Sequence, residues 1–247
     1  MYTDCKNLYN FLMKILKNRA FTLAEVLITL GIIGVVAAIT IPTLITNYQK
    51  RQTALGVKKA YTELNQIVRM ATADYGDPSG WDYYGENELQ QWVETYIKPY
   101  AKVTGSKICA SSNNCFGLII PKGGAYVLSK MGTPVGYAFY RYGGVYSPVT
   151  RVRVYLNSSK KKFDNGKNAF TFILSTADSN PRFKPYGLKS LGSYGMSTDD
   201  RKVLLGTGWG GCNPKASGSG YWEPMDACAA VIMMDGWQIS KDYPWIK

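Results

Sequence analysis

The chain has 247 residues, a formal net charge of +12 and no histidine. That length provides for one long helix and one domain of ordinary size. Without histidine, Ser-His-Asp and Cys-His nucleophile chemistry and His-ligated zinc are excluded. The positive excess speaks of partners such as nucleic acid or anionic surfaces, not of fold.

The first informative stretch is basic. Lys14, Lys17 and Arg19 precede Ala20-Phe21-Thr22-Leu23-Ala24-Glu25. Val26 to Ile45 then runs twenty residues without a charge. At the rise of an α-helix, that run spans about 30 Å, the thickness of a bilayer core. No small-residue cleavage site closes it, which argues against a secretory signal, and it is apolar on every face, which argues against a soluble helix. The basic cluster ahead of it keeps the N-terminus cytoplasmic, although Lys50, Arg51, Lys58 and Lys59 beyond it blur the rule. Glu25 is the anomaly, because a carboxylate in a membrane segment costs about 2.5–3.5 kcal/mol at the centre and less near an end. It either caps the start of a helix or meets a cation from elsewhere.

Arg19 to Glu25, followed by this uncharged run, resembles the N-terminus of the type IV pilin and type II secretion pseudopilin superfamily over residues 14 to 50. The resemblance implies a leader at residues 1–20, cut by prepilin peptidase between Ala20 and Phe21, with methylation of Phe21. The family usually has Gly where this chain has Ala20. Glu25 would pair with the new amino terminus, Phe21, of a neighbouring subunit. Residues 21–49 would anchor in membrane lipid and later pack in a filament core, with a stretch near Gly31, Gly34 and Pro42 able to kink or melt. Partners would be other pilin or pseudopilin subunits, the peptidase and an inner-membrane assembly platform. A single-pass protein of the cytoplasmic membrane would thus become an exported filament at the cell surface or in the periplasm.

Downstream, Val57, Ala60, Tyr61, Leu64, Ile67, Val68 and Ala71 recur at three- and four-residue steps. One amphipathic helix to about residue 73 follows from that spacing. Asp74 to Gly80 breaks it, and Glu88 to Tyr100 repeats the helical spacing. Strands are expected at Phe116–Ile120, Ala125–Ser129, Val135–Tyr142, Arg151–Leu156 and Ala169–Leu174. A last hairpin would join Ala229–Met234 to Trp237–Ile239 across Asp235-Gly236. Asp178 to Ser219 reads as surface loops. The expected class is α+β: a long N-terminal helix, membrane-spanning in one half and amphipathic in the other, packed on an antiparallel sheet as in pilins. Residues 50–247 would form the exported globular domain.

Cys5 would leave with the leader, so Cys109, Cys115, Cys212 and Cys228 remain. Four cysteines allow three connectivities. Short loops rich in small and polar residues favour Cys109–Cys115 and Cys212–Cys228 over free thiols or a zinc site. The Cys212 to Cys228 segment also resembles the disulfide-bounded C-terminal region of many pilins.

Lys160, Lys161 and Lys162, with Arg151 and Arg153, form a candidate DNA-contacting patch, weighed against a solvated hairpin tip. DNA capture by a membrane-anchored, non-polymerising protein is accordingly the alternative function. Asn157 to Phe170 resembles the calcium loop of some pseudopilins, but Asp164 is its only carboxylate, so no metal is expected. Glu223 with Asp226 or Asp199 with Asp200 could pair for glycoside hydrolysis, although Ser197 to Asp200 reads more simply as a helix cap. Trp209, Trp222, Trp237 and Trp245 read as core. No enzymatic activity and no cofactor are expected.

Overall fold

The computed structural model describes residues 21–81, 88–109, 125–130, 136–141, 149–156, 164–190, 196–218 and 223–245. Ala20 and the leader, Phe116–Ile120, Cys115, Lys160–Lys162 and Trp222 lie outside the described residues. The chain divides into two units, Met1–Gln49 and Lys50–Lys247.

Helix α1 runs from Leu23 to Tyr75 and contains Pro42. Its second half buries Ala54, Val57, Ala60, Leu64, Ile67, Val68 and Ala71. This is the stripe read from the sequence, and hiding its Val, Leu and Ile side chains contributes about 1.5–3 kcal/mol each as an upper bound. Gly56 allows a close approach here, because a Cβ would stand 3.0 Å from Leu156 Cδ1. The helix stops where Gly76 takes a φ of +79°. Asp77 then caps a 3-10 turn at Pro78–Gly80 by accepting from the Ser79 amide at 2.8 Å. Helix α2 follows at Glu88–Tyr96, and Trp81 stacks on its Tyr96 with ring centroids 4.6 Å apart.

Six antiparallel strands form one sheet in sequential order: β1 Val103–Cys109, β2 Ala125–Lys130, β3 Gly136–Arg141, β4 Val149–Tyr155, β5 Ala169–Ser175 and β6 Phe183–Pro185. Residues opposite one another across a sheet share a face. On one face the register aligns Leu128 with Tyr137, Val154 and Phe170, and aligns Phe139 with Val152 and Phe172. This apolar face receives α1: the Tyr137 hydroxyl donates to Glu63 at 2.8 Å and Tyr61 stacks on Phe172. Burial and then Glu63 push the Tyr137 hydroxyl well above its usual pKa. The other face carries Ala138, Arg153 and Thr171 in one row and Arg151 with Ile173 in the next. At the two ends of the sheet, β1 has a bulge between Val103 and Gly105, and β6 is three residues long and contains Pro185.

Three expectations are corrected. Ala229–Met234 is not a strand, because Cys228–Met234 forms a helix that packs on β5 and β6. Asp235-Gly236 is its C-cap, not a hairpin turn: Trp237 N–H donates to Ile232 O and Gly236 N–H to Met233 O, a Schellman closure with Gly236 at φ +69°. The region from Asp178 is not surface loop throughout. It contains β6, the short parallel pair β7 Gly187–Leu188 and β8 Ser197–Thr198, and helix α3 Arg201–Leu204. Phe183, Tyr186 and Leu204 from it are fully buried. The C-terminal helix Cys228–Met234 is α4. Lastly, β1 was not foreseen, and it is the partner of β2.

Candidate assembly site

The residues singled out around the expected cleavage point meet at the start of α1. Thr22 and Glu25 are three residues apart, and their side chains close a reciprocal capping box. Glu25 N–H donates to Thr22 Oγ1 at 3.2 Å, while the Thr22 amide and hydroxyl both donate to Glu25 Oε2 at 2.9 Å. Glu25 Oε1 receives no hydrogen bond from any described residue. Phe21, just ahead of the box, is 83 % exposed. The capping role of Thr22 was missed, although the T-x-x-E spacing was legible.

Beyond the box the apolar side chains of the run point outward. Leu27, Ile32, Val35, Ile39 and Leu44 are all exposed, and none of the most apolar window is buried. A Cβ added at Gly31 or Gly34 would meet nothing within 4 Å. The helix continues through Pro42, whose carbonyl accepts from the Thr46 hydroxyl at 2.9 Å. This is a helix long and apolar enough to cross a membrane, with its side chains free for lipid or for other helices.

The prokaryotic N-terminal methylation motif matches residues 15–41. The profile of the family of unknown function DUF6613 matches residues 43–246, most of the chain. The chain belongs to that family. No curated protein and no solved structure matches it. The methylation motif marks this DUF6613 chain as a prepilin peptidase substrate of the pilin and pseudopilin type, and it carries the pilin-like α+β architecture.

The remaining candidates in this DUF6613 chain fall into place by burial. Arg151 and Arg153 are removed from the DNA-contacting patch, since each is only 2 % exposed. They occupy the polar face of the sheet and meet Asp226, itself 1 % exposed. Arg153 Nη2 donates to Asp226 Oδ1 at 2.9 Å and Arg153 Nη1 to Glu223 at 3.0 Å, while Arg151 Nη1 stands 4.0 Å from Asp226. Thr171 Oγ1 adds a 2.7 Å donation to Asp226. Burial pushes the Glu223 carboxyl up, but Arg153 and Asn165 together outweigh it and hold it below its usual range. A lowered carboxyl held by guanidinium and amide is suited to staying ionised, not to donating a proton, so Glu223 serves Arg153 as a counter-ion, and Asp226 stands between the two arginines by its contacts with both.

Cys212 and Cys228 form a disulfide. Asp200 caps α3 by accepting from Lys202 N at 2.8 Å, as Ser197 to Asp200 suggested. Asp164 opens a turn whose carbonyl accepts from Lys167 N and Asn168 N. Trp237 and Trp245 pack against the core, whereas Trp209 is 57 % exposed, contrary to expectation.

Proposed function

We propose that this chain is a structural subunit, of the minor pilin or pseudopilin kind, in a type IV pilus or type II secretion-type filament. Prepilin peptidase would cut between Ala20 and Phe21 and methylate Phe21. The apolar half of α1 would hold the subunit in the cytoplasmic membrane, N-terminus inward, until the assembly platform passes it to the filament core. There it would pack against the same element of other subunits, burying area at about 25 cal/mol per Å².

The observation that carries this reading is the division of labour on the Glu25 carboxylate. One oxygen is fastened by Thr22 and the other accepts from no described residue. A carboxylate used only as a cap gains nothing from an open oxygen beside an exposed N-terminal residue. One held in place by its own helix and open on one side is prepared for a neighbour's amine.

Two measurements test the proposal. Mass spectrometry of protein from the native host should find a mature chain beginning at N-methylated Phe21, and a retained leader in the presence of active peptidase defeats the reading. Filament yield then separates cap from pairing. Glu25→Gln keeps an acceptor for Thr22 but not the charge, and should assemble as poorly as Glu25→Ala. Thr22→Val loosens the hold on the carboxylate but keeps its charge, and should lower the yield less than Glu25→Gln does. Normal filaments from Glu25→Gln would reduce Glu25 to a helix cap.

A further inference from the structure

Trp245 lies within reach of two cations. The Lys50 Nζ is 6.0 Å and the Lys167 Nζ 5.6 Å from its ring centroid. Three contacts hold this group together. The Lys167 carbonyl accepts from Thr53 Oγ1 at 3.2 Å. Tyr243, buried beside Trp245, donates to the Gly166 carbonyl. Gly166 turns the loop with a φ of +78° in a space where a Cβ would collide with Met225 and Cys228. The C-terminal segment and the 164–169 turn are therefore clasped to α1 at Lys50 and Thr53.

Lys50 is the fifth residue after Ile45, where the uncharged run ends, so about 7.5 Å of helical rise separates them. A run that fills the hydrocarbon core leaves that position at headgroup level. Tryptophan beside lysine and arginine is the composition that bilayer interfaces select, because the ring tolerates the boundary and the cations meet phosphate. Arg51 is exposed next to Lys50. Against these three cations stands Asp164 in the same turn, leaving a local charge of +2.

We propose that Trp245 with Lys50, Arg51 and Lys167 forms a seat for anionic phospholipid headgroups, holding this end of the exported domain on the bilayer before assembly. The inference rests on the membrane-anchored state proposed above. Anionic lipid is favoured over a protein or nucleic-acid partner because the covalent link to the apolar run puts headgroups, and nothing else, at this position in every anchored subunit. Leaving the membrane for the filament then requires the seat to be vacated, so lipid charge would set how readily a subunit is released.

Hydrogen exchange on the full chain in vesicles tests the seat. One set contains phosphatidylcholine alone and the other phosphatidylcholine mixed with phosphatidylglycerol. The reporters are the amides of Gly166, Asn168 and Trp245, which donate within the clasp. At about fivefold per net charge, their exchange should slow by about 25-fold on anionic vesicles at low salt. The difference should vanish at high salt and in the Lys50→Gln/Arg51→Gln/Lys167→Gln variant. Equal exchange on both lipids, with the apolar run still protected, overturns the seat and leaves the anchored state standing. An apolar run that exchanges freely in both lipids removes the anchored state, and both readings fall.

Discussion

Replacing Asp226 should be the most damaging single change on the polar face of the sheet. Its carboxylate is almost fully buried and accepts from Arg153, Thr171 and the Glu223 amide at 2.7–2.9 Å, with Arg151 at 4.0 Å. In Asp226→Ala, two buried guanidinium groups lose the buried carboxylate that both of them face. Removing one partner of a buried pair costs about 3–5 kcal/mol, because the charge left behind has lost its water without compensation. For a domain of this size that is about 6–20 °C in the unfolding midpoint, and a large part of the about 5–15 kcal/mol that holds a domain folded. Glu223 is the internal control. Its side chain is 41 % exposed, so water screens the loss and Glu223→Gln should cost only about 0.2–1 kcal/mol. Thermal unfolding of both full-length variants in detergent, followed by near-ultraviolet circular dichroism, measures the difference. Equal midpoints for the two variants would show that Asp226 is not the anchor of the arginines.

Two further outcomes follow from neighbouring features. The Cys212–Cys228 bridge has a sequence separation of 16, so Cys212→Ser/Cys228→Ser should lose about 3 kcal/mol in denaturant titration, and an unchanged midpoint would mean the loop is held without the bridge. Glu223 and Asp242 both titrate below their usual 4.5 and 3.8, Asp242 because Arg201 hydrogen-bonds it. The unfolded chain therefore binds more protons than the folded one as acid is added. The stabilisation is present above the usual carboxylate range and is lost as pH falls through the lowered values. The acid limb of a stability–pH curve should flatten in Glu223→Gln/Asp242→Asn, and an unaltered limb would refute the assignment.

What was legible in the chain followed its periodicity. Val57 to Ala71 announced the packed face of α1 because a half-buried helix must alternate every three or four residues. Strands β2 to β5 announced themselves through aromatic and β-branched residues between turns. Helix α4 did not, since Ala229 to Ile232 are buried on all sides and a short run without a polar face has no period to read. Asp-Gly then pointed the wrong way, because the same dipeptide closes hairpins and caps helices. Strand β1 was hidden by Gly105, which is depleted in strands, and by the polar Ser106 and Lys107, a weak signal that pairing with β2 overrides. Arg151 and Arg153 looked like surface cations because Asp226, the residue that makes their burial tolerable, lies more than seventy positions away. At the assembly site the carboxylate was legible as an anomaly. Its attachment to Thr22 was equally present in the spacing and was overlooked in favour of the more distant partner.

The ends of the sheet bear on a hazard common to every chain that gathers in long ordered arrays. An open strand edge is a template for another strand, and subunits crowded side by side meet one another's edges at high local concentration. The bulge in β1 spoils the register that an incoming strand would need. Strand β6 is too short to offer much of a ladder, and Pro185 withholds an amide from it. In the proposed filament, subunits would then gather through their helices without their sheets fusing into an amyloid-like ribbon.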